Sequence, residues 1–191
     1  MPTARLNFIN RFFDDSLFID AFSQMARETL KTFSYDHLLF SFHGLPERHV
    51  KKTDQTGSHC LTSENCCDEV GKNNSHCYRA QCFATAKALA KKLGISQEKY
   101  TVCFQSRLGR TPWIQPHTDR LYKELAQKGI RRLAVMCPAF VADCLETLEE
   151  IQIRGRADFI REGGQDLKLI PSLNSSVPWV DAVAEILRRP L

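Results

Sequence analysis

The sequence predicts a three-layer α/β domain: a four-stranded, mostly parallel sheet flanked by helices. Three observations carry this. Short apolar runs alternate with segments of helical periodicity, a helix first and then strand and helix in turn. The helical segments end at glycines, Gly94 and Gly129. A chain of 191 residues is one domain on the usual prior, long enough to bury roughly 70% of its unfolded surface.

Asp14 and Asp15 precede Leu17, Phe18, Ala21, Phe22, Met25, Ala26 and Leu30. That stripe is helical, with Asp15 or Ser16 as its N-cap. Residues 37–42 read as a short buried strand. Residues 47–75 are polar, rich in cysteine and without period, so they read as a long loop or insert. A helix runs through about 77–93. Tyr100-Thr101-Val102-Cys103-Phe104 is the next strand, and Gly109-Arg110-Thr111-Pro112-Trp113 a loop. Leu121 and Leu125 mark a helix, residues 132–137 a strand, and a further helix follows from about Asp143. Asp143 and Glu146 have capping-box spacing. Leu167-Lys168-Leu169-Ile170 is the last strand, and Pro178 opens a final helix.

Composition narrows the function classes. Apolar residues make up 43% and charged residues 25%, ordinary for a soluble globular protein. The net charge of +4 is mild, and Lys and Arg are interleaved with acids, so no nucleic-acid stripe is expected. No apolar run reaches bilayer length, and residues 1–5 lead into no signal-type apolar core, which points to the cytoplasm. In that reducing compartment the eight cysteines suggest thiols or metal ligands more than disulfides.

Two motifs stand where apolar runs end. His43 lies at the tip of Leu38-Leu39-Phe40-Ser41-Phe42, followed by Gly44-Leu45-Pro46. A single His after a strand is more often structural, but the Gly and Pro fix where its ring stands. Neutral imidazole ligates a metal or takes a proton near pH 7. Glu146 and Glu150 follow the run 133–137, four apart on one helix face. Exposed helix carboxylates are usually only solvated, yet ligands of open α/β sheets bind at strand tips. Two like charges there raise each other's proton affinity, which suits proton removal from a substrate. Trp113 is either a loop anchor or an aromatic wall for a flat ligand, whose acidic groups Arg107 and Arg110 can meet.

Cys60, Cys66, Cys67, Cys77 and Cys82 fall within 23 residues. The spacing lacks the paired knuckles of a zinc ribbon. Only Cys77 to Cys82 matches the x4 opening of plant-type iron–sulfur proteins. A [2Fe–2S] cluster takes four of the five; zinc and plain thiols stay as alternatives, with His59 and His76 available for mixed ligation. Cys103 and Cys137 read as small core residues.

The chain resembles the carboxyl-terminal half of ferrochelatase, which inserts iron(II) into protoporphyrin IX. The match lies in the segments 39–48 (LFSFHGLPER), 104–113 (FQSRLGRTPW) and 137–150 (CPAFVADCLETLEE), and is near-continuous from about residue 8 to 187. The resemblance implies that residues 1–191 are one α/β domain equivalent to that half, with a Cys-rich insert at 51–82. It implies that His43 and Glu146 handle the iron and the two pyrrole protons, that Glu150 continues the acidic line, and that Trp113 and Phe140 lie near the porphyrin, with Arg107 and Arg110 beside it. Iron–sulfur clusters occur in some members, which favours a cluster in the insert; Cys82 is the least certain ligand.

The sequence departs from the pattern in three places. Some relatives carry His where Cys144 stands. Arg154 occupies the third step of the acidic line. Family members have two similar halves around the porphyrin, and the amino-terminal half is absent here. The leading expectation is therefore a partial ferrochelatase chain that metallates poorly alone. A half-length chelatase completing its cleft as a homodimer is the second reading, and a non-enzymatic iron–sulfur or zinc module the third. The implied location is cytoplasmic or peripheral to the inner membrane, though the family's apolar lip belongs largely to the absent half.

Overall fold

A computed structural model describes residues 8–189; the reading of residues 1–5 lies outside the described residues. Four strands form one sheet: β1 (His37–His43), β2 (Tyr100–Gln105), β3 (Arg132–Met136) and β4 (Asp166–Ile170), in the order β2-β1-β3-β4. All three pairings are parallel, so the expected mostly parallel sheet is wholly parallel. Helices cover both faces, which is why β1 is buried along nearly its whole length.

The helices are α1 (Ser16–Leu30), α2 (Glu47–Lys52), α3 (Tyr78–Leu93), α4 (Thr118–Gln127), α5 (Leu145–Thr147), α6 (Arg156–Arg161) and α7 (Val177–Arg188). A π-helical segment, Leu148–Gly155, joins α5 to α6. Strand side chains alternate between two cores. Leu38, Phe40 and Phe42 pack with residues of α1 and α3, such as Phe22 and Leu89. Leu39 packs with residues of α4 and α6, such as Tyr122 and Phe159. As expected, Asp15 is the cap of α1: its carboxylate accepts the Leu17 N–H at 3.0 Å.

Three local expectations change. The polar stretch 47–75 is not wholly irregular, because α2 occupies its first turn and a half before the turns that carry the cysteines. The Asp143–Glu146 capping box does not form. Cys144 is the N-cap and pairs reciprocally with Thr147, while the Asp143 carboxylate is drawn away to Ser172 and Asn174. The helix expected from Asp143 is interrupted by the π-helical segment.

The strand order decides where a ligand can sit. From β1 the chain runs outward to β2 on one side, then crosses to β3 and continues to β4 on the other. The direction of winding therefore reverses between β1 and β3. The crevice at the carboxyl ends of those two strands is the natural binding place of an open α/β sheet.

Candidate functional site

His43 closes β1 and so stands at that crevice. Its Nδ1 lies 2.6 Å from the Gly44 carbonyl oxygen. A carbonyl only accepts, so Nδ1 carries the hydrogen and the Nε2 lone pair is free. The turn after β3 places Phe140 against it, with ring centroids 6.0 Å apart. Both line an apolar groove of about 480 Å³, walled by Phe12, Phe18, Phe42 and Tyr78.

Glu146 is brought to the same strand tips by a buried side chain that the sequence reading passed over. In the sheet register His43 is the partner of Gln105, the last residue of β2. Gln105 is 3% exposed, and its Nε2 donates to the Glu146 carbonyl at 2.7 Å. Its Oε1 accepts from the Ser41 hydroxyl at 2.7 Å and the Cys137 thiol at 3.4 Å. One amide thus ties β1, β2, β3 and the start of α5 together. Gln105 bonds the carbonyl where the α-helical ladder gives way to the π-helix, and an inserted side chain is a known cause of such a break.

The Glu146 carboxyl is held below the ordinary carboxylate range, first by the Cys144 thiol donating to it and then by its own backbone N–H. This is the reverse of the raised proton affinity expected from two neighbouring carboxylates. Hydrogen-bond donors, rather than a like charge, face Glu146. Glu150 has other partners, although the same Gln105 Nε2 also donates to its Oε2 at 3.4 Å. Its oxygens accept the Ser106 N–H at 2.8 Å and the Ser106 hydroxyl at 2.6 Å, and it faces a second hollow of about 380 Å³ shared with Arg107, Tyr122 and Arg154. Arg154 pairs with Glu149 at 3.3 Å.

The porphyrin-side expectations divide. Phe140 joins His43 in the groove. Trp113 packs against Gly44 from the loop after β2 and donates its indole N–H to the Leu108 carbonyl at 3.0 Å, outside the lining of that groove. Arg107 pairs with Asp119 at 2.5 Å beside the second hollow. Arg110 is exposed on the same loop.

Asp143 sets the entry to α5. Partial burial pulls its carboxyl upward, but hydrogen bonds from Asn174, Ser172 and Thr147 outweigh this and hold it below the ordinary value of 3.8. A carboxyl depressed on folding stabilises fully above its unfolded value, and that stability is lost as pH falls through the folded one. Asp143→Asn is therefore expected to cost about 1 kcal/mol at pH 7 after solvent screening, or about 2–4 °C in Tm. Thermal unfolding should show the gap closing toward pH 3. A constant gap from pH 7 to pH 3 would remove the ionised carboxylate from this account.

The cysteines of the insert sort into two groups. Cys60, Cys66, Cys67 and Cys77 are all buried, and their thiols touch in pairs rather than around one centre. Cys66 and Cys67 Sγ lie 3.6 Å apart, and the Cys77 thiol meets those of Cys67 and Cys60. Bonding to Cys67 pulls Cys77 down to about 6, while burial and the Cys77 charge push Cys60 up to about 12. Cys82 is separate, beside the Tyr78 phenol and raised by burial. His59 Nε2 is engaged by the Cys66 carbonyl at 3.2 Å, and His76 is exposed. Cys103 and Cys137 are buried core residues on the α4 side of the sheet.

The nest is built by two side chains. The Asp54 carboxylate accepts the His59 and Cys60 N–H groups at 2.8 and 2.7 Å. Buried Asn74 donates to the Cys66 carbonyl at 3.0 Å and the Glu69 carbonyl at 2.8 Å. Among the described residues, no group of three or more His, Cys, Asp or Glu already stands in metal-holding geometry. No helix among them is long and apolar enough to cross a membrane.

Known proteins of the same pattern fit this arrangement. The ferrochelatase family model matches residues 1–191. A ferrochelatase of Stutzerimonas stutzeri (strain A1501) is 48% identical over 186 residues, which cover 97% of this chain and 54% of that protein. One from Pseudomonas aeruginosa (strain LESB58) is 51% identical over 183 residues, covering 94% and 54%. One from Coxiella burnetii (strain Dugway 5J108-111) is 48% identical over 183 residues, covering 96% and 51%. The chain spans about half the length of the curated relatives it matches.

Proposed function

The chain belongs to the ferrochelatase family, and from that premise we propose that it forms one wall of a cleft in which iron(II) enters protoporphyrin IX to give protohaem. The observation that carries this reading is the tie His43–Gln105–Glu146. Gln105, the register partner of His43, bonds the Glu146 backbone carbonyl, and this supports reading the imidazole and the carboxylate as a pair beside the apolar groove. Metallation removes two pyrrole protons and delivers a cation stripped of water, so base and ligand groups must face the ring. His43 Nε2 takes one proton. Glu146, ionised at neutral pH, meets the iron and the second proton. Glu150, held by Ser106, receives it at the edge of the second hollow. Phe140 and Phe42 carry the flat apolar face of the macrocycle.

The domain is read as the carboxyl-terminal half of the two-half cleft, with the Cys-rich insert at 51–82 within it. The opposite wall comes from an amino-terminal half or from a second copy of the chain about a two-fold axis. Such a protein acts in the cytoplasm, against the inner membrane.

What supports a [2Fe–2S] cluster in the insert is donor type alone: four buried cysteines beside Asp54 and Asn74, not gathered around one centre. Cys60, Cys66, Cys67 and Cys77 would hold it, and bound there it would supply a covalent tie across the insert. Cys82 is left out because its thiol faces the Tyr78 phenol.

The test is anaerobic mixing of iron(II) and protoporphyrin with the chain, alone and together with the amino-terminal half of the P. aeruginosa relative. Haem absorption is expected from the paired halves, and slow or no metallation from the chain alone. Rapid turnover by the chain alone, with a dimer in light scattering, would select the two-fold arrangement. No haem in any combination rejects the reading.

A further inference from the structure

The loop between β3 and α5 carries residues of both kinds at the crevice. Phe140 stands against the His43 ring, and Cys144 caps the turn that bears Glu146. One residue of a different loop fastens this segment. Asn174, in the turn after β4, donates its backbone N–H to the Val141 carbonyl at 2.8 Å. Its Oδ1 accepts the Asp143 N–H at 2.9 Å, and its Nδ2 donates to the Asp143 carboxylate at 2.8 Å. The second Nδ2 hydrogen goes to the Ser172 carbonyl at 3.2 Å. Residues 143 and 174 thus exchange hydrogen bonds in both directions across 31 positions of chain.

Asparagine is the residue this geometry calls for. Asn174 has φ +48°, in the left-handed region that costs a bulky side chain most and Asn least. Glycine takes that backbone freely but brings no side chain. Aspartate accepts the Asp143 N–H but has no hydrogen to donate, and it would set a second carboxylate against the first. Sparsely populated backbone persists only where surrounding bonds hold it, and it clusters at functional sites.

The tie continues into the turn of Glu146. The Asp143 Oδ1 accepts the Thr147 hydroxyl at 3.0 Å, and the buried Thr147 oxygen takes the Cys144 N–H at 3.0 Å. Bonds that start at Asn174 therefore brace the residues flanking Glu146 in sequence. At the other end of the loop, the Val141 bond fixes the neighbour of Phe140. Asn174 itself is not a lining residue of the groove.

We propose that Asn174 is a positioning residue for iron insertion: by fastening the loop after β3 to the loop after β4, it sets Phe140 and Glu146 relative to His43. This deepens, and rests on, the reading of the crevice as the insertion site.

The test compares the parent, Asn174→Asp, Asn174→Gly, and the exchange Asp143→Asn with Asn174→Asp. Each full chain is mixed with iron(II), protoporphyrin and the amino-terminal half of the P. aeruginosa relative, and turnover, porphyrin KM and Tm are read. Asn174→Asp sets two carboxylates in contact and is expected to lower turnover about 10²-fold, the usual cost of a shift of about 1 Å at a reacting group. Asn174→Gly keeps the backbone turn and the Val141 bond, so it should fold like the parent and still lose turnover about tenfold. The exchange gives the amide to residue 143 and the carboxylate to residue 174. It restores a donor facing an acceptor and should return turnover to within about tenfold of the parent. A role in stability alone would lower Tm and leave the turnover of the folded chain unchanged. Parent turnover in folded Asn174→Gly, or an exchange no faster than Asn174→Asp, overturns the proposal while the insertion reading stands. No haem from the parent pair overturns both.

Discussion

His43→Ala is expected to lower iron insertion by the paired halves about 10²–10⁴-fold, the usual range for a positioned acid–base group. The loss should fall on turnover more than on porphyrin binding. Phe12, Phe18, Phe42 and Phe140 keep the groove's apolar surface when the imidazole is gone. Binding is read from the shift of the porphyrin absorption band, turnover from haem formation. Fold should be untouched, because His43 is half-buried at a strand end and, among the described residues, its side chain hydrogen-bonds only its own turn. Equal turnover in parent and variant would remove the imidazole from the chemistry and leave Glu146 without its partner.

The second large effect is expected at Gln105, which is buried behind the strand tips. Gln105→Leu keeps the volume roughly constant but removes the donor to the Glu146 carbonyl and the Glu150 carboxylate and the acceptor used by Ser41 and Cys137. Leaving buried polar groups unpaired costs about 2 kcal/mol, or about 4–8 °C in Tm. The site should suffer more than the fold. The start of α5 is no longer tied to β2, and a shift of about 1 Å at a reacting group costs about 10²-fold in rate. Thermal unfolding and the paired-half assay measure the two effects separately. A variant that loses stability but keeps its rate would show that Glu146 is placed by something other than this bond.

Glu146 and Glu150 illustrate how far a one-dimensional period carries. Four residues apart, they suggest one face and one shared proton affinity. The structure gives their carboxylates different main partners. Glu146 takes its bonds from Cys144 and its own turn, whereas Glu150 is bound by Ser106 from across the sheet. The π-helical turn between them has no sequence signature, because it forms where Gln105 enters the backbone ladder from 41 positions away.

The cysteines teach the same lesson in reverse. Their density announced a cluster of thiols, but spacing left five candidates. The folded loop buries Cys60, Cys66, Cys67 and Cys77 beside the bonds of Asp54 and Asn74, and sets Cys82 beside the Tyr78 phenol.

The sequence by itself determined the layer architecture, the strands, nearly all helix positions, and the two strand-tip motifs with their family resemblance. Those follow from periodicity, caps and short-range spacing, which are properties of neighbouring residues. The order β2-β1-β3-β4, the tie through Gln105, the different partners of Glu146 and Glu150, and the bond from Tyr78 to His43 come only with the folded chain. Each of these joins groups distant along the chain, and a buried polar side chain finds its partner only when folding has removed water as the competitor.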